Sequence, residues 1–438
     1  MKRLNSYACV VLVGLSTILA ACPSPSPGGP FGSGGSGNNG AGSGTSSSSG
    51  GLGGSGGEGG LILVGSGGAG GSSTNCAGAS DKDNDGDGYT EAEGDCNDCD
   101  KNVNPGAVEV PTPENADAGP DAGPATEAAD ENCNGQTDEA PTPCDTGLTL
   151  NSEDPMDATK AIGMCDFVKS AKWVLADGSP APVDATKLKN FHLGHGILPK
   201  FGTNNKPQEG VNMLMLSSGT ARDKGNGESV YRTFDKTYTS NAPFGFPKAS
   251  AACPGVTTGL PHDATGVQIE VNVPTNALSA TFDFQFFTYE WHDFICQQFN
   301  DFFVAHVEPF PMGQTDGNVA FDGMGNPISV NNAFIRACGC PGNPPGNCDG
   351  GGVSFTCALG KTALAGTPFE SDLANPNWTH GSTGWLRTTI PVTPGGTFRI
   401  RLVTYDSSDG NLDSSTLIDN WQWYGTPGKV HTEEPPPK

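Results

Sequence analysis

The sequence predicts a mainly β protein: a β-sandwich, jelly-roll-like in its strand pattern, preceded by long segments that build no core. Three observations carry this. Apolar and polar residues alternate at period two in VQIEVNV (267–273), ATFDFQFF (280–287), DFFVAHV (301–307) and TFRIRLVTY (397–405), the pattern of half-buried strands. Loops rich in Gly, Pro and Asn separate these runs. Over residues 145–428 a single helix is expected, at Met156–Val168, with Ala161, Met164, Cys165 and Val168 on one face.

The segments before residue 145 differ in composition. The chain begins MKRLNSYACVVLVGLSTILAAC. Lys2 and Arg3 precede a short apolar run over residues 8–20, too short to span a bilayer and suited to an export signal. Residues 23–75 are nearly all Gly, Ser, Pro and Asn. Such a tether has an r.m.s. reach of about 40 Å. Residues 110–129 form an Ala/Pro-rich low-complexity insertion, and residues 429–438 a disordered tail,. The domain plan is therefore signal peptide (1–21), tether (22–75), acidic module (76–144), sandwich (145–428) and tail.

Charge is the second theme. The net charge of −25 makes nucleic acid a poor partner, since it needs basic patches. Most of the charge is local: residues 81–139 hold 18 carboxylates and two lysines. In DKDNDGDGYTEAEGDC (81–96), Asp81, Asp83, Asp85 and Asp87 alternate and glycines stand at 86 and 88. Hard cations such as calcium take six to eight oxygens, and D-x-D-x-D-G supplies three beside a sharp turn. An EF-hand loop would also need Glu at its twelfth position. Counting from Asp81 gives Ala92 and from Asp83 gives Gly94, so this is a different loop. Glu91, Asp95, Asp98 and Asp100 supply further oxygens, and Asp138 and Glu139 close the segment. Copper prefers imidazole, thiolate or thioether, and residues 76–144 contain no His, Met or Trp. Calcium is the expected ion and copper is not.

Three resemblances extend this reading. Leu19-Ala20-Ala21-Cys22 resembles the lipobox of bacterial lipoproteins, which implies acylation of Cys22 and, with Pro23 following it, an outer-membrane, surface-exposed protein held by its lipid. DGDGYTEAEGDCNDCDKNVNPGAVEV followed by DENCNGQTDE resembles the MopE-type metal-binding motif family. The matching positions are Asp85–Tyr89, Gly94-Asp95-Cys96, Pro105-Gly106-Ala107 with Glu109, Asn132–Gly135 and Asp138-Glu139. The family's middle Cys-Asp-Gly is replaced by the insertion, and Cys99 is extra. Cys96–Cys133 with Cys76–Cys99 is one pairing the resemblance allows. Third, FDFQFFTYEWHDFICQQFNDFFVAHV (282–307) resembles the choice-of-anchor L domain through Phe284, Phe286, Glu290, Phe294, Phe299-Asn300-Asp301 and Phe303. Tyr405–Ser414 and Ile418-Asp419-Asn420 resemble that domain's closing stretch. The resemblance implies an extracellular β-rich fold with no assigned activity.

Glu290, Asn300, Asp301, Asp406, Asp409 and Asp413 fall at strand ends or in loops and form a second candidate metal site, with turn capping an equal alternative. Twelve cysteines remain after Cys9 and Cys22 are set aside. Outside the cytoplasm that even number favours disulfides among Cys76, Cys96, Cys99, Cys133, Cys144, Cys165, Cys253, Cys296, Cys338, Cys340, Cys348 and Cys357. Cys338 and Cys340 are too close to pair with each other.

No metalloprotease helix, nucleophile elbow or phosphate loop is present,. The expected function is non-catalytic: a calcium-binding surface lipoprotein in adhesion or recognition, with Tyr289 and Trp291 as aromatics for a glycan or protein ligand. The alternatives are an envelope hydrolase using Glu290 near Asp293, and a copper scavenger. His192 and His195 in FHLGHGIL, read as extended, are a minor candidate metal pair.

Overall fold

Aromatic side chains decide where the two sheets meet. A computed structural model describes residues 80–110, 129–226, 232–331, 334–338, 348–350, 353–370 and 380–436. The expected signal peptide and tether, Cys22, Cys76, Cys340 and nearly all of the 110–129 segment lie outside them.

The elements are α1 (Pro155–Ala161), β1 (Val168–Val174), α2 (Ala185–Leu193), β2 (His195–Leu198), β3 (Met213–Ser217), β4 (Pro261–Asn272), β5 (Ser279–Thr288) and β6 (Phe302–Glu308). Short strands β7 (Ile328–Ser329), β8 (Ala337–Cys338), β9 (Cys348–Gly350), β10 (Val353–Phe355) and β11 (Gly381–Ser382) follow. The chain closes with β12 (Leu386–Pro391), β13 (Thr397–Ser407), β14 (Ser414–Tyr424) and β15 (His431–Glu433).

One antiparallel sheet runs β1-β4-β13-β6-β7. The other runs β15-β12-β5-β14-β3-β2, with β11 bridging β5 and β8. The sheets pack as a sandwich. Phe284 of β5 meets Phe303 of β6 with ring centroids 4.8 Å apart. Trp421 of β14 stacks over Phe398 of β13 at 6.2 Å. The chain crosses repeatedly from one sheet to the other, among other places at the β4–β5, β5–β6 and β13–β14 connections.

All four strands expected from alternation form. The expectation of one buried face fails for β5, where every residue is buried. Ala280, Phe282, Phe284 and Phe286 face the inter-sheet core. Phe287 joins a second cluster with Phe201, Met215, Tyr289 and Phe369, which covers the other side of the sheet. Asp283 on β5 is fully buried and is met by Arg387 of β12 through two hydrogen bonds, 2.7 and 2.9 Å. Paired charges of this kind tolerate burial.

The expected helix is shorter than Met156–Val168. It is capped by Asp154, which accepts from the Met156 amide, and stops at Ala161. Gly163 turns the chain at φ 86°, and Val168 already belongs to β1. A second helix, α2, is capped by Asp184, which accepts from the Thr186 and Lys187 amides. The disordered tail is also corrected: His431–Glu433 pairs with β12, and Glu434 forms an ion pair with Arg336 at 2.6 Å.

Four disulfides have both partners among the described residues: Cys96–Cys133, Cys144–Cys165, Cys253–Cys296 and Cys338–Cys357. Cys99 is also disulfide-bonded. Cys348 lies on β9.

The acidic segment docks on the β4–β5 connection. Asn276 donates to the Val108 carbonyl at 2.7 Å and accepts from the Val108 amide at 3.0 Å. Thr275 donates its amide to the Gly106 carbonyl and its hydroxyl to Asn104.

Phe284→Ala empties a site at the centre of this interface. The expected cost is about 3–5 kcal/mol, read as a lower urea midpoint with an unchanged slope.

Candidate metal centres

In the acidic segment Asp85, Asp87 and Asp95 each spend one oxygen on their own turn, whereas Asp98 accepts from the amide and side chain of Asn84. Asp85 Oδ1 accepts from the Asp87 amide (3.1 Å), Asp87 Oδ1 from the Tyr89 amide (2.8 Å) and Asp95 Oδ1 from the Asn97 amide (2.8 Å). The second oxygen of all three, Oδ2, is buried without a partner. Asp83 instead bridges the amides of Gly86 and Gly88 (2.6 and 3.1 Å). Those two glycines, at φ 83° and 99°, fold the loop in a region other residues rarely enter. The result is two groups that share Asp85: Asp83, Asp85 and Asp87, and Asp85, Asp95 and Asp98, each with carboxylate oxygens within 4.8 Å of one another. Burial first, then the Asp87 charge, pushes Asp85 up to about 6. Burial raises Asp95 likewise.

Not all expected ligands join. Asp81 is exposed, and Glu91 sits exposed in a 3-10 turn, Glu91–Glu93. Asp100 accepts from the amide and side chain of Asn102. Asp138 belongs to a separate group with Glu109 and Glu131, of which burial pushes Glu131 up to about 7. Glu139 accepts from the side chains of Asn132 and Asn134.

The second candidate site lies at one end of the sandwich. Glu290 follows β5, Asp301 precedes β6, Asp406 ends β13 and Asp413 precedes β14. The β5–β6 and β13–β14 connections thus bring carboxylates from four strand ends together. Glu290, Asp301 and Asp406 have oxygens within 4.8 Å of one another, and each side chain is at most 1 % exposed. Asp301 accepts from the Ser414 hydroxyl (2.5 Å) and the Ser407 amide (3.3 Å). Both oxygens of Asp406, Oε2 of Glu290, Oδ1 of Asn300 and Oδ2 of Asp413 are buried without a partner. Burial, then neighbouring carboxylates, pushes Glu290 and Asp406 well up. Burial pushes Asp301 up to about 8 and Asp413 up to about 7. At an effective dielectric near 20, two unit charges at this spacing repel by about 3–4 kcal/mol. Three such pairs rival a whole domain's stability, so something must neutralise them.

Asp409 is not among the three whose oxygens converge and caps its own turn through the Asn411 amide at 3.2 Å, but, after burial and the Asp301 charge, its charge helps to raise Glu290. Sequence reasoning missed Lys236 and Asp263. The Lys236 ammonium is fully buried and donates to the Ser217 and Asp263 carbonyls and the Thr265 hydroxyl, at 2.7–2.9 Å. Asp263, buried beside it, is pushed up to about 6 by burial. No local spacing marks either residue; Lys236 lies in the β3–β4 connection and Asp263 on β4.

Three further expectations are corrected. Tyr289 and Trp291 are buried in apolar clusters, so neither offers a surface to a ligand. Glu290 turns inward to Asp301 and Asp406, whereas Asp293 is exposed beside His292 (3.2 Å). His192 lies in α2 and His195 in β2, not on one extended run. Their rings bond each other, Nδ1 to Nε2, at 2.8 Å, and His195 stacks on Trp173 at 3.8 Å.

Residues 183–421, more than half of the chain, match the family described as the choice-of-anchor L domain. The chain belongs to this family. No curated protein and no solved structure matches it. The matched stretch contains every member of the sandwich-end cluster, Lys236 and Asp263 included, while the acidic segment precedes it. In this choice-of-anchor L protein, β1 and α1 also precede the matched stretch, yet β1 pairs with β4 along its length. The disulfides fit an oxidising compartment outside the cytoplasm.

Between the choice-of-anchor L sandwich and the acidic segment is a cleft of about 840 Å³. Phe167, Trp421, Trp423 and Tyr424 line it from one side, Glu109 and Asn134 from the other. Asp419 also lines it, accepting the amides of Gln208, Glu209 and Asn420. Burial outweighs these donors and pushes Asp419 up to about 8. Its folded state therefore holds a proton that the unfolded chain releases near pH 4, and the stability this confers is lost as pH rises toward 8. Asp419→Asn keeps an acceptor without the titration. Its urea midpoint should fall less between pH 4 and 8 than that of the unmodified protein; equal slopes would show an ordinary carboxylate.

Proposed function

We propose that this protein is a calcium-dependent, non-catalytic recognition module displayed at the bacterial cell surface, held by an acyl chain on Cys22 and lifted from the outer membrane by the Gly/Ser tether. The observation that supports it most is the convergence of unpartnered Asp85, Asp87 and Asp95 oxygens in a segment with almost no apolar core. Among its described residues, Ala107 is the one buried apolar side chain. Cation binding and disulfides then supply the order that burial does not. An all-oxygen donor set favours calcium over copper.

The recognition surface in this reading is the cleft, because the calcium-ordered segment forms one of its walls. Half-exposed Phe167 and Trp423 offer flat apolar faces, and the buried indole nitrogen of Trp421 lacks a partner. Glu209, Gln422 and Asn134 supply polar groups around them. Aromatic faces ringed by carboxylates and amides suit a glycan, whose C–H faces stack while its hydroxyls bond.

Calorimetric titration of the oxidised protein should give calcium binding in the micromolar-to-millimolar range, with slower proteolysis of residues 80–140. Asp85→Asn with Asp95→Asn should abolish both effects. On a glycan array, binding should require calcium and disappear in Trp423→Ala. Absence of calcium uptake at the segment would reduce it to a charged spacer, and tighter copper binding would move the reading to metal acquisition.

A further inference from the structure

The carboxylates at the sandwich end stand apart from the acidic segment and pose a different problem. They are not surface groups in need of screening. Glu290, Asp301, Asp406 and Asp413 are all nearly or completely buried, and they come from both ends of two inter-sheet connections. Either protons or a cation must neutralise them. Lys236 is the nearby buried cation, but its three donors are spent on the Ser217 and Asp263 carbonyls and the Thr265 hydroxyl. A proton shared between Asp301 and Asp406, whose side chains lie within hydrogen-bonding reach of each other, would answer one charge of the cluster, but Glu290 still presents a carboxylate oxygen within 4.8 Å of both, and its Oε2 has no hydrogen-bond partner. Asn300, next to Asp301, adds a neutral oxygen that is also buried and unmatched.

We infer that Glu290, Asp301 and Asp406 bind a divalent oxygen-seeking cation, calcium by ligand type, inside the choice-of-anchor L sandwich, independent of any ion in the acidic segment. Three carboxylates outweigh one dication, which favours tight retention. Ser414 and the Ser407 amide hold Asp301 in place through its hydrogen bonds, so the ligands arrive preorganised by two strands. The ion would fasten the β5–β6 connection to the β13–β14 connection and close that end of the sandwich. Burial makes exchange slow: the ion survives desalting that strips the acidic segment.

The test is metal content per chain by mass spectrometry, after desalting into metal-free buffer, on the oxidised full chain and two double variants. In Asp85→Asn/Asp95→Asn, one calcium per chain should remain. In Glu290→Gln/Asp406→Asn that ion should be gone, while titratable calcium at the acidic segment persists. The melting temperature of this second variant should no longer respond to a chelator, whereas the unmodified protein should melt lower once its ion is extracted. Should the second variant fail to fold, the first alone decides: a chain without retained metal, and with no chelator effect on its melting, overturns the inference. So does a folded Glu290→Gln/Asp406→Asn protein that keeps the same metal content, or that melts higher than the unmodified protein with and without chelator, which would mean protons had neutralised the cluster.

Discussion

Negative charge gathered where two sheets must be joined is the constraint from which much of this molecule follows. A sandwich needs connections between its layers, and those connections cannot be apolar along their whole length. Here β5 ends and β6 begins, and β13 ends and β14 begins, within one small region, and each of the four ends contributes a carboxylate: Glu290, Asp301, Asp406 and Asp413. The repulsion between any two of Glu290, Asp301 and Asp406, whose oxygens lie within 4.8 Å of one another, is about 3–4 kcal/mol, against the 5–15 kcal/mol that keeps a typical domain folded. Fully ionised and uncompensated, the cluster would open the sandwich at that end. What neutralises it therefore controls whether the layers close.

The acidic segment meets the same difficulty in a form that solvent eases. Its clusters are only partly buried, apart from Asp95 and Asp98, and Asp85, Asp87 and Asp95 each spend one oxygen on a backbone turn. The segment does not hold itself together by packing. It leans on Cys96–Cys133 and on the Asn276–Val108 and Thr275–Gly106 hydrogen bonds, which seat it against the β4–β5 connection. That connection lies at the other end of β5 from Glu290. Charge is thus concentrated at both ends of one strand whose interior is Phe282, Phe284, Phe286 and Phe287.

How much of this the sequence disclosed depends on whether the signal was local. Period-two alternation located β4, β5, β6 and β13, because their inward faces are uniformly apolar. It could not locate β2, HGIL, or β3, MLMLS, because neither sequence alternates apolar with polar residues. α2 was legible in principle: Asp184 precedes ATKLKNFHL as a cap, but with Phe191 as its buried residue the helix has too narrow an apolar stripe to stand out. In the site, Glu290, Asp301 and Asp406 were picked from residue type and strand-end position. Lys236 and Asp263 were not, since nothing in their neighbourhoods marks them and only the path of the β3–β4 connection brings Lys236 back to β4. The aromatics 289 and 291 misled for a related reason. They follow a strand, which suggests a loop, but Tyr289 stacks on Phe369 at 4.1 Å and Trp291 meets Phe355 edge-on at 5.5 Å.

That burial changes what Glu290 can be. A carboxylate between two core aromatics has no route to solvent on its own side of the chain. Its charge must be answered from within, by the partners facing it across the sandwich end. A hydrolytic carboxylate would need a substrate on one side and water on the other, whereas Glu290 faces Asp301 and Asp406. The aromatic packing that removes Tyr289 and Trp291 from the surface is the same packing that commits Glu290 to an interior role. Half-exposed aromatics and polar groups coincide elsewhere, at the junction with the acidic segment.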